Sequence, residues 1–412
     1  MKQNTTYKQT ELGLIPEDWE VKKFNKFSKF YSGGTPLTSK SEYYGGEIPF
    51  IKSGEIYYDR TEQFLTQEGL NNSSAKLVYR GDLLYALYGA NSGEVAISQL
   101  EGAINQAILC IQQNKDEAET IYLYNYLKLE KSNIINKFLQ GGQGNLSADI
   151  IKNLQIPLPP LPEQKKIADC LSTWDNAIEK QSQLIELHTD RKKALMQQLL
   201  TGKKRLPGFE GKWKEVKLGS LGKTYNGLTG KTKEDFGEGK PFITYMNIFS
   251  NPKINISNFE YVKMGVNENQ NKAIYGDIFF TVSSETPNEV GMASVLLDEI
   301  NDLYLNSFCF GFRLNDFKNL LPEFSSYLFR NDLFRKDVYK LAQGSTRFNL
   351  SKLELMKIKI KLPSLSEQTA IAEILATADR ELQLQKDKLA QLQSQKKGLM
   401  QVLLTGKKRL MN

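Results

Sequence analysis

A chain of 412 residues exceeds one ordinary domain and suits two or three, each with its own core. Hydrophobic residues make up 40% of it, and no apolar run approaches the roughly 18 residues that span a bilayer, so no membrane contact is expected. Met1-Lys2-Gln3-Asn4 begins no apolar signal stretch, which points to a cytoplasmic protein. The three cysteines (Cys110, Cys170, Cys309) are far apart in apolar surroundings and read as buried structural thiols, and the single histidine is His188. No zinc spacing exists, no metal or cofactor is expected, and no histidine-based acid/base scheme is open except one through His188.

In chain order, residues 1–160 form a first globular domain. Its strand-like runs are Ile48 to Ile51, Leu83 to Ala86 and Ile104 to Ile111, followed by a helical pattern near 119–139. Residues 161–206 form a helix that starts after the Pro157–Pro162 stretch, with Pro162 in its first turn, and stops at Gly202. Residues 207–364 form a second domain, with strand-like runs Ile278 to Val282, Ser294 to Leu297 and Phe308 to Leu314 and a helical pattern near 321–341. Residues 365–412 form a second helix, capped by Ser364 or Ser366 and stopped by Gly406. Gly-, Asn- and Ser-rich loops join the domain elements, so the fold class is α+β.

The two helices are copies. Residues 157–206 align without a gap to 361–410, with 24 of 50 positions identical, and LLTGKKRL at 199–206 recurs letter for letter at 403–410. The domains correspond more loosely. Trp19 and Val21 answer Trp213 and Val216, Pro49-Phe50-Ile51 answers Pro241-Phe242-Ile243, and Asn145-Leu146-Ser147 answers Asn349-Leu350-Ser351. A kept frame with altered loops is what different binding specificities on one fold look like.

A 3-4 spacing runs through both helices. Leu171, Trp174, Ile178, Gln181, Ile185 and His188 carry it in the first, and Leu375, Leu382, Gln385 and Leu389 in the second. These are heptad seams, so the helices should pack together as a coiled coil, with Gln181 and Gln385 at matching seam positions that fix register. A pseudo-two-fold axis across the helices runs them antiparallel and puts the domains at opposite ends; an axis along them clusters the domains at one end. The antiparallel arrangement is expected, and roughly 37 residues at 1.5 Å each then span about 55 Å. His188 on the seam reads as a half-buried spacer.

Charge is unevenly spread. Residues 1–162 hold 16 basic against 18 acidic residues and 207–364 hold 21 against 18, while the helical segments 163–206 and 365–412 hold 9 against 6 and 8 against 5. Phosphate neutralisation supplies most non-specific DNA affinity, so if this chain binds DNA its partners supply much of the grip. The Lys203-Lys204-Arg205 and Lys407-Lys408-Arg409 clusters read equally as helix C-terminal charge or as phosphate contacts. Apparent enzyme motifs fail. Only two residues separate the glycines of Gly227-Leu228-Thr229-Gly230-Lys231-Thr232, where a P-loop needs four. Asp235-Phe236-Gly237 has no accompanying kinase motif, and no methyltransferase or nuclease tetrad is present. No catalytic residue is expected.

Over its whole length the chain resembles the specificity subunit of type I restriction-modification systems. The features are Leu158 to Gln164 with Leu362 to Gln368 as its partner, the helices ending LLTGKKRL, Gly33-Gly34-Thr35-Pro36 with Tyr44 to Phe50, and Phe348-Asn349-Leu350-Ser351. The first domain carries Gly144 where the second has Phe348. The resemblance implies two target recognition domains, each reading half of a split, asymmetric double-stranded DNA sequence, with the helices as spacer and docking surface. It implies two DNA adenine methyltransferase (M) subunits and restriction/translocase (R) subunits as partners. Base readout needs Arg, Lys, Asn, Gln, Ser or Thr on reaching loops. The candidates are Ser32, Thr35, Lys52, Asn91, Ser92, Gln140, Gln143 and Asn145 in the first domain. In the second they are Asn226, Thr229, Lys231, Lys233, Ser345, Thr346, Arg347 and Asn349. A duplicated coiled-coil scaffold or adhesin-like protein without DNA specificity is the alternative that also explains the repeat.

Overall fold

The computed structural model describes residues 6–138 and 145–410. They divide into two compact units, residues 1–182 with 387–412 and residues 183–386. The division cuts both long helices near their middles, because each unit's main core takes apolar side chains from one half of each helix. In the first unit Ile167 and Leu171 join Met400, Leu403 and Leu404 around Trp19, Tyr122 and Leu123. In the second, Leu199 and Leu200 join Ile371, Ala372 and Leu375 around Phe310, Phe324 and Phe329. Each such leucine, taken out of water, stabilises its unit by about 1.5–3 kcal/mol.

The units share the topology of their main sheet. In the first, β1 (Ser28–Ser32), β2 (Leu83–Ala86), β3 (Val95–Ile97) and β4 (Ile108–Gln113) form an antiparallel sheet in the order β1-β4-β2-β3. In the second, β5 (Gly222–Asn226), β6 (Ile278–Thr281), β7 (Ala293–Val295) and β8 (Cys309–Leu314) repeat it as β5-β8-β6-β7. The central strands β2 and β6 are buried throughout, so they read as continuous apolar runs rather than alternating ones. A smaller sheet beside each is built on Tyr44–Ile51 or Phe236–Ile243, and both of these strands carry a β-bulge over a four-residue register shift. Residues at the bulges, Gly45-Gly46 and Gly237-Glu238-Gly239, are glycine-rich, as strand irregularities commonly are. The run Ile104 to Ile111 is two strands, not one, because Asn105 to Ala107 turn the chain between Gly102–Ile104 and β4. The helical pattern at 119–139 is one helix, Thr120–Phe138. The pattern at 321–341 is two, Pro322–Leu328 and Asp332–Lys340, because the Asn331 side chain caps a new start by accepting from the Phe334 N–H.

The long helices span Leu161–Leu199 and Leu365–Leu403, 39 residues each. Ser364 is the cap of the second, its hydroxyl accepting from the Glu367 N–H. After each last turn the chain reverses through a glycine at positive φ, Gly202 at 69° and Gly406 at 71°. Within each unit the two helix segments run antiparallel, shown by ion pairs that recur at the repeat offset: Asp175 with Lys396 in the first unit, Asp379 with Lys192 in the second. Leu171, Gln181 and Leu375 are buried, and Trp174, Ile178, Ile185, Leu382, Gln385 and Leu389 are half-buried. Gln181 and Gln385 fall in different compact units. His188 is half-buried with Nδ1 3.7 Å from a Glu381 carboxylate oxygen, a spacer position rather than a catalytic one.

Candidate nucleic-acid interface

Interface loops need a rigid mount, and the recurring motifs supply it. In the first unit Glu163 accepts from Arg409 Nε at 2.7 Å and from the Trp19 ring N–H at 3.1 Å, and Arg409 also holds Asp18. In the second, Glu367 accepts from Arg205 Nε at 2.7 Å and from the Trp213 ring N–H at 3.3 Å. Each guanidinium also lies over its tryptophan ring, 5.9 and 6.0 Å from the centroid. The next residue locks the domain helix to the long one. Gln164 donates to the carbonyls of Glu117 and Pro159 and accepts from the Glu119 N–H; Gln368 does the same with Asn319, Pro363 and Leu321. The PEQ/SEQ and KKRL motifs are therefore two halves of one joint. Arg205 and Arg409 are paired with carboxylates, whereas Lys203, Lys204, Lys407 and Lys408 are exposed. Burial holds Lys396 below its usual range despite Asp175, which marks it too as a packed residue.

On this mount the candidates scatter in their accessibility. In the first unit Lys52, Asn145 and Thr35 are exposed, with the Thr35 hydroxyl bonded to the Gln106 side chain at 2.8 Å. Ser32 and Asn91 are half-buried. Backbone bonds gather these loops: Leu146 N–H to Leu87 O and Leu87 N–H to Ala107 O bring the 87–92, 105–107 and 145 segments to one end of the sheet. Ser92 does not belong to that surface, being 8% exposed with its hydroxyl donating to Leu87 O. Gln140 and Gln143 lie outside the described residues.

In the second unit Lys233, Ser345, Thr346, Arg347 and Asn349 are exposed. The last four sit on or beside the turn between strands β9 (Ala342–Gln343) and β10 (Phe348–Leu350). That turn closes because Gly344 has φ 135°; a Cβ there would meet Arg347 O at 2.1 Å. Asn226 accepts from Lys352, and Thr229 is tied through both backbone groups to the Gln270 side chain. Lys231 is a correction. Its ammonium is buried against Glu268 and the Lys263 carbonyl, because the 229–232 loop needs a tie to the 263–270 segment. The Gly265 N–H and Lys231 hold the Glu268 carboxyl down to about 2. Lys231→Ala should therefore leave the salt dependence of DNA binding unchanged, measured as the slope of log affinity against log salt; a slope reduced by about one would show a phosphate contact instead.

The strand-like run Phe308 to Leu314 starts one residue later than its letters suggest: β8 begins at Cys309, and Phe308 stands 65% exposed on the preceding turn. Its neighbours Met246 and Glu285 are also exposed and were not among the candidates. The missed signal was Asn306-Ser307, a turn pair whose Asn306 Oδ1 accepts from the Phe308 N–H at 2.7 Å.

A family model described as the type I restriction modification DNA specificity domain matches residues 16–188 and again 210–394. The chain belongs to this family. Its role is DNA sequence specificity on a frame that occurs twice, and it is a specificity subunit rather than a catalyst. It is 27% identical to the type I restriction enzyme MjaVIII specificity subunit of Methanocaldococcus jannaschii, over 97% of this chain and 95% of that one. It is 34% identical to the MjaIX specificity subunit of the same organism over 44% of each chain. Among solved structures, the type I restriction-modification S subunit from M. genitalium superposes with a TM-score of 0.57 at 17% identity, over 98% of this chain and 97% of that one. A chain from a structural study of complex assembly and conformational transition in a type I R-M system gives 0.61 at 17% identity, covering 95% and 99%. These two share the fold. No helix of the described residues is long and apolar enough to cross a membrane.

Proposed function

We propose that each globular domain reads one half of a split, asymmetric DNA target. In this reading the long helices set the spacing and dock two adenine methyltransferase subunits, and restriction/translocase subunits join to cut. The observation that carries it is the contrast between joint and loops. The Glu–Arg–Trp and Gln joints are the same in both units, while the exposed residues mounted on them differ. Selection on spacing and docking keeps the joint; selection on different half-sites changes the loops. The near-neutral charge of both domains fits a subunit that specifies a site while its partners close around the duplex. Family membership and the absence of any shared reason for a bare scaffold to vary its loops favour this over the adhesin-like alternative.

The test is to express the chain with its methyltransferase partner and map methylated adenines in the exposed DNA. A split site with two unrelated halves is expected. Arg347→Gln should then relax the preference at one base position by about 1–3 kcal/mol, the worth of a bidentate Arg–guanine contact. A continuous target, or no methylation, would overturn the reading.

A further inference from the structure

In the second unit the Arg347 turn, the Phe308 turn, Ser283 to Glu289 and the helix Tyr245–Ser250 enclose a cavity of about 360 Å³. Tyr245 and Phe249 stack along one wall, with ring centroids 5.9 Å apart, and the Tyr245 hydroxyl is anchored on Ser283 O. Phe308, 65% exposed, and Met246, 57% exposed, present apolar surface at the mouth. Arg347 brings one positive charge, and Glu285 and Glu289 bring two negative ones, Glu289 being held by the Ser284 and Thr286 hydroxyls.

Two facts identify the occupant. A phosphate would meet more negative than positive charge here, so the site suits a surface of mixed donors, acceptors and methyl groups, which is what the major-groove edge of a duplex presents. The frame around Phe308 also recurs in the first unit with another side chain. Ala107 N–H bonds to Asn105 Oδ1 as Phe308 N–H does to Asn306 Oδ1, and the carbonyls of Ala107 and Phe308 accept from Leu87 N–H and Val282 N–H. Equal backbone with alanine on one side and phenylalanine on the other is a difference in what is read, not in how the domain is held.

Resting on the function proposed above, we infer that this cavity is the base-reading element for the second half-site. Phe308 packs on a thymine C5-methyl, Arg347 donates to a guanine edge, and Glu285 accepts from a cytosine amino group. Phe308 and Glu285 thus join Arg347 as specificity-determining residues.

The experiment uses the assembled complex and the duplex that it methylates. Thymines are replaced singly by uracil, which removes only the methyl group, and guanines by 7-deazaguanine, which removes only the N7 acceptor. With the native chain, one uracil and one 7-deazaguanine in the second half-site should each weaken binding on the order of fivefold or more. Phe308→Ala should weaken the natural duplex similarly and become indifferent to that uracil, and Arg347→Gln should become indifferent to that 7-deazaguanine. Both variants should keep the native response to analogues in the first half-site, which also reports that they fold. If Phe308→Ala still senses the uracil as the native chain does, or if losses are uniform over all sequences with a shallower salt dependence, the inference fails while the split-site reading stands. If no split site is methylated, the reading beneath it fails and the inference falls with it.

Discussion

Arg409→Ala is expected to destabilise the first unit by about 3–5 kcal/mol, read as a lower midpoint in urea unfolding followed by tryptophan fluorescence. The size follows from what is left behind. Glu163 is 5% exposed and accepts from Arg409 through both carboxylate oxygens, so truncating the arginine strands a buried charge that keeps the Trp19 ring N–H but loses its guanidinium. Burial of the pair outweighs its exposed rim, because the Arg409 side chain is itself only 9% exposed. Arg205→Ala should act alike in the second unit, where Glu367 is 1% exposed. The control is Glu163→Gln with Arg409→Met, which removes both charges and should cost far less than either single change. A loss below about 1 kcal/mol for Arg409→Ala would mean that the pair behaves as a surface ion pair.

Gln164→Ala should cost about 3 kcal/mol, because three backbone groups lose their partner together: the buried carbonyl of Pro159 and the part-buried carbonyl of Glu117 and N–H of Glu119. Gln164→Glu should be no remedy, since a carboxylate cannot donate to the two carbonyls. Hydrogen exchange gives the local readout. The Glu119 amide should lose protection far beyond the global change in stability, and Gln368→Ala should do the same to the Leu321 amide. Equal loss of protection across the whole unit would show that the glutamine acts only through global stability.

Much of this architecture was legible in the letters. A gap-free repeat has no local cause, so identical segments at 199–206 and 403–410 report a duplication whatever the fold. Helix ends were readable because their chemistry is local: the Ser364 hydroxyl caps the Glu367 N–H three residues on, and Gly202 and Gly406 adopt the positive φ that ends a helix. The apolar runs at 83–86 and 278–281 were readable as strands from local pattern too, being short and continuously apolar, the second also β-branched and aromatic. The site was less legible. Lys231 looked like a loop cation, yet Glu268, 37 residues away, takes its charge. Ser92 looked like a loop hydroxyl, yet it is turned inward. Phe308 looked like the first residue of a strand, yet it stands in the open on the turn before it.

By itself the sequence determined that two similar domains alternate with two long helices copied from one another, where those helices start, and that the chain resembles a specificity subunit. These depend on composition, spacing and near-neighbour hydrogen bonding. Only the tertiary structure decided which half of each helix joins which domain, that the arginine of each KKRL motif is the partner of the glutamate opening the other helix, and which loop side chains are exposed. The physical reason is that a charge or ring acquires its role from whatever the fold sets opposite it. Arg409 and Glu163, 246 positions apart, meet only once the chain has folded.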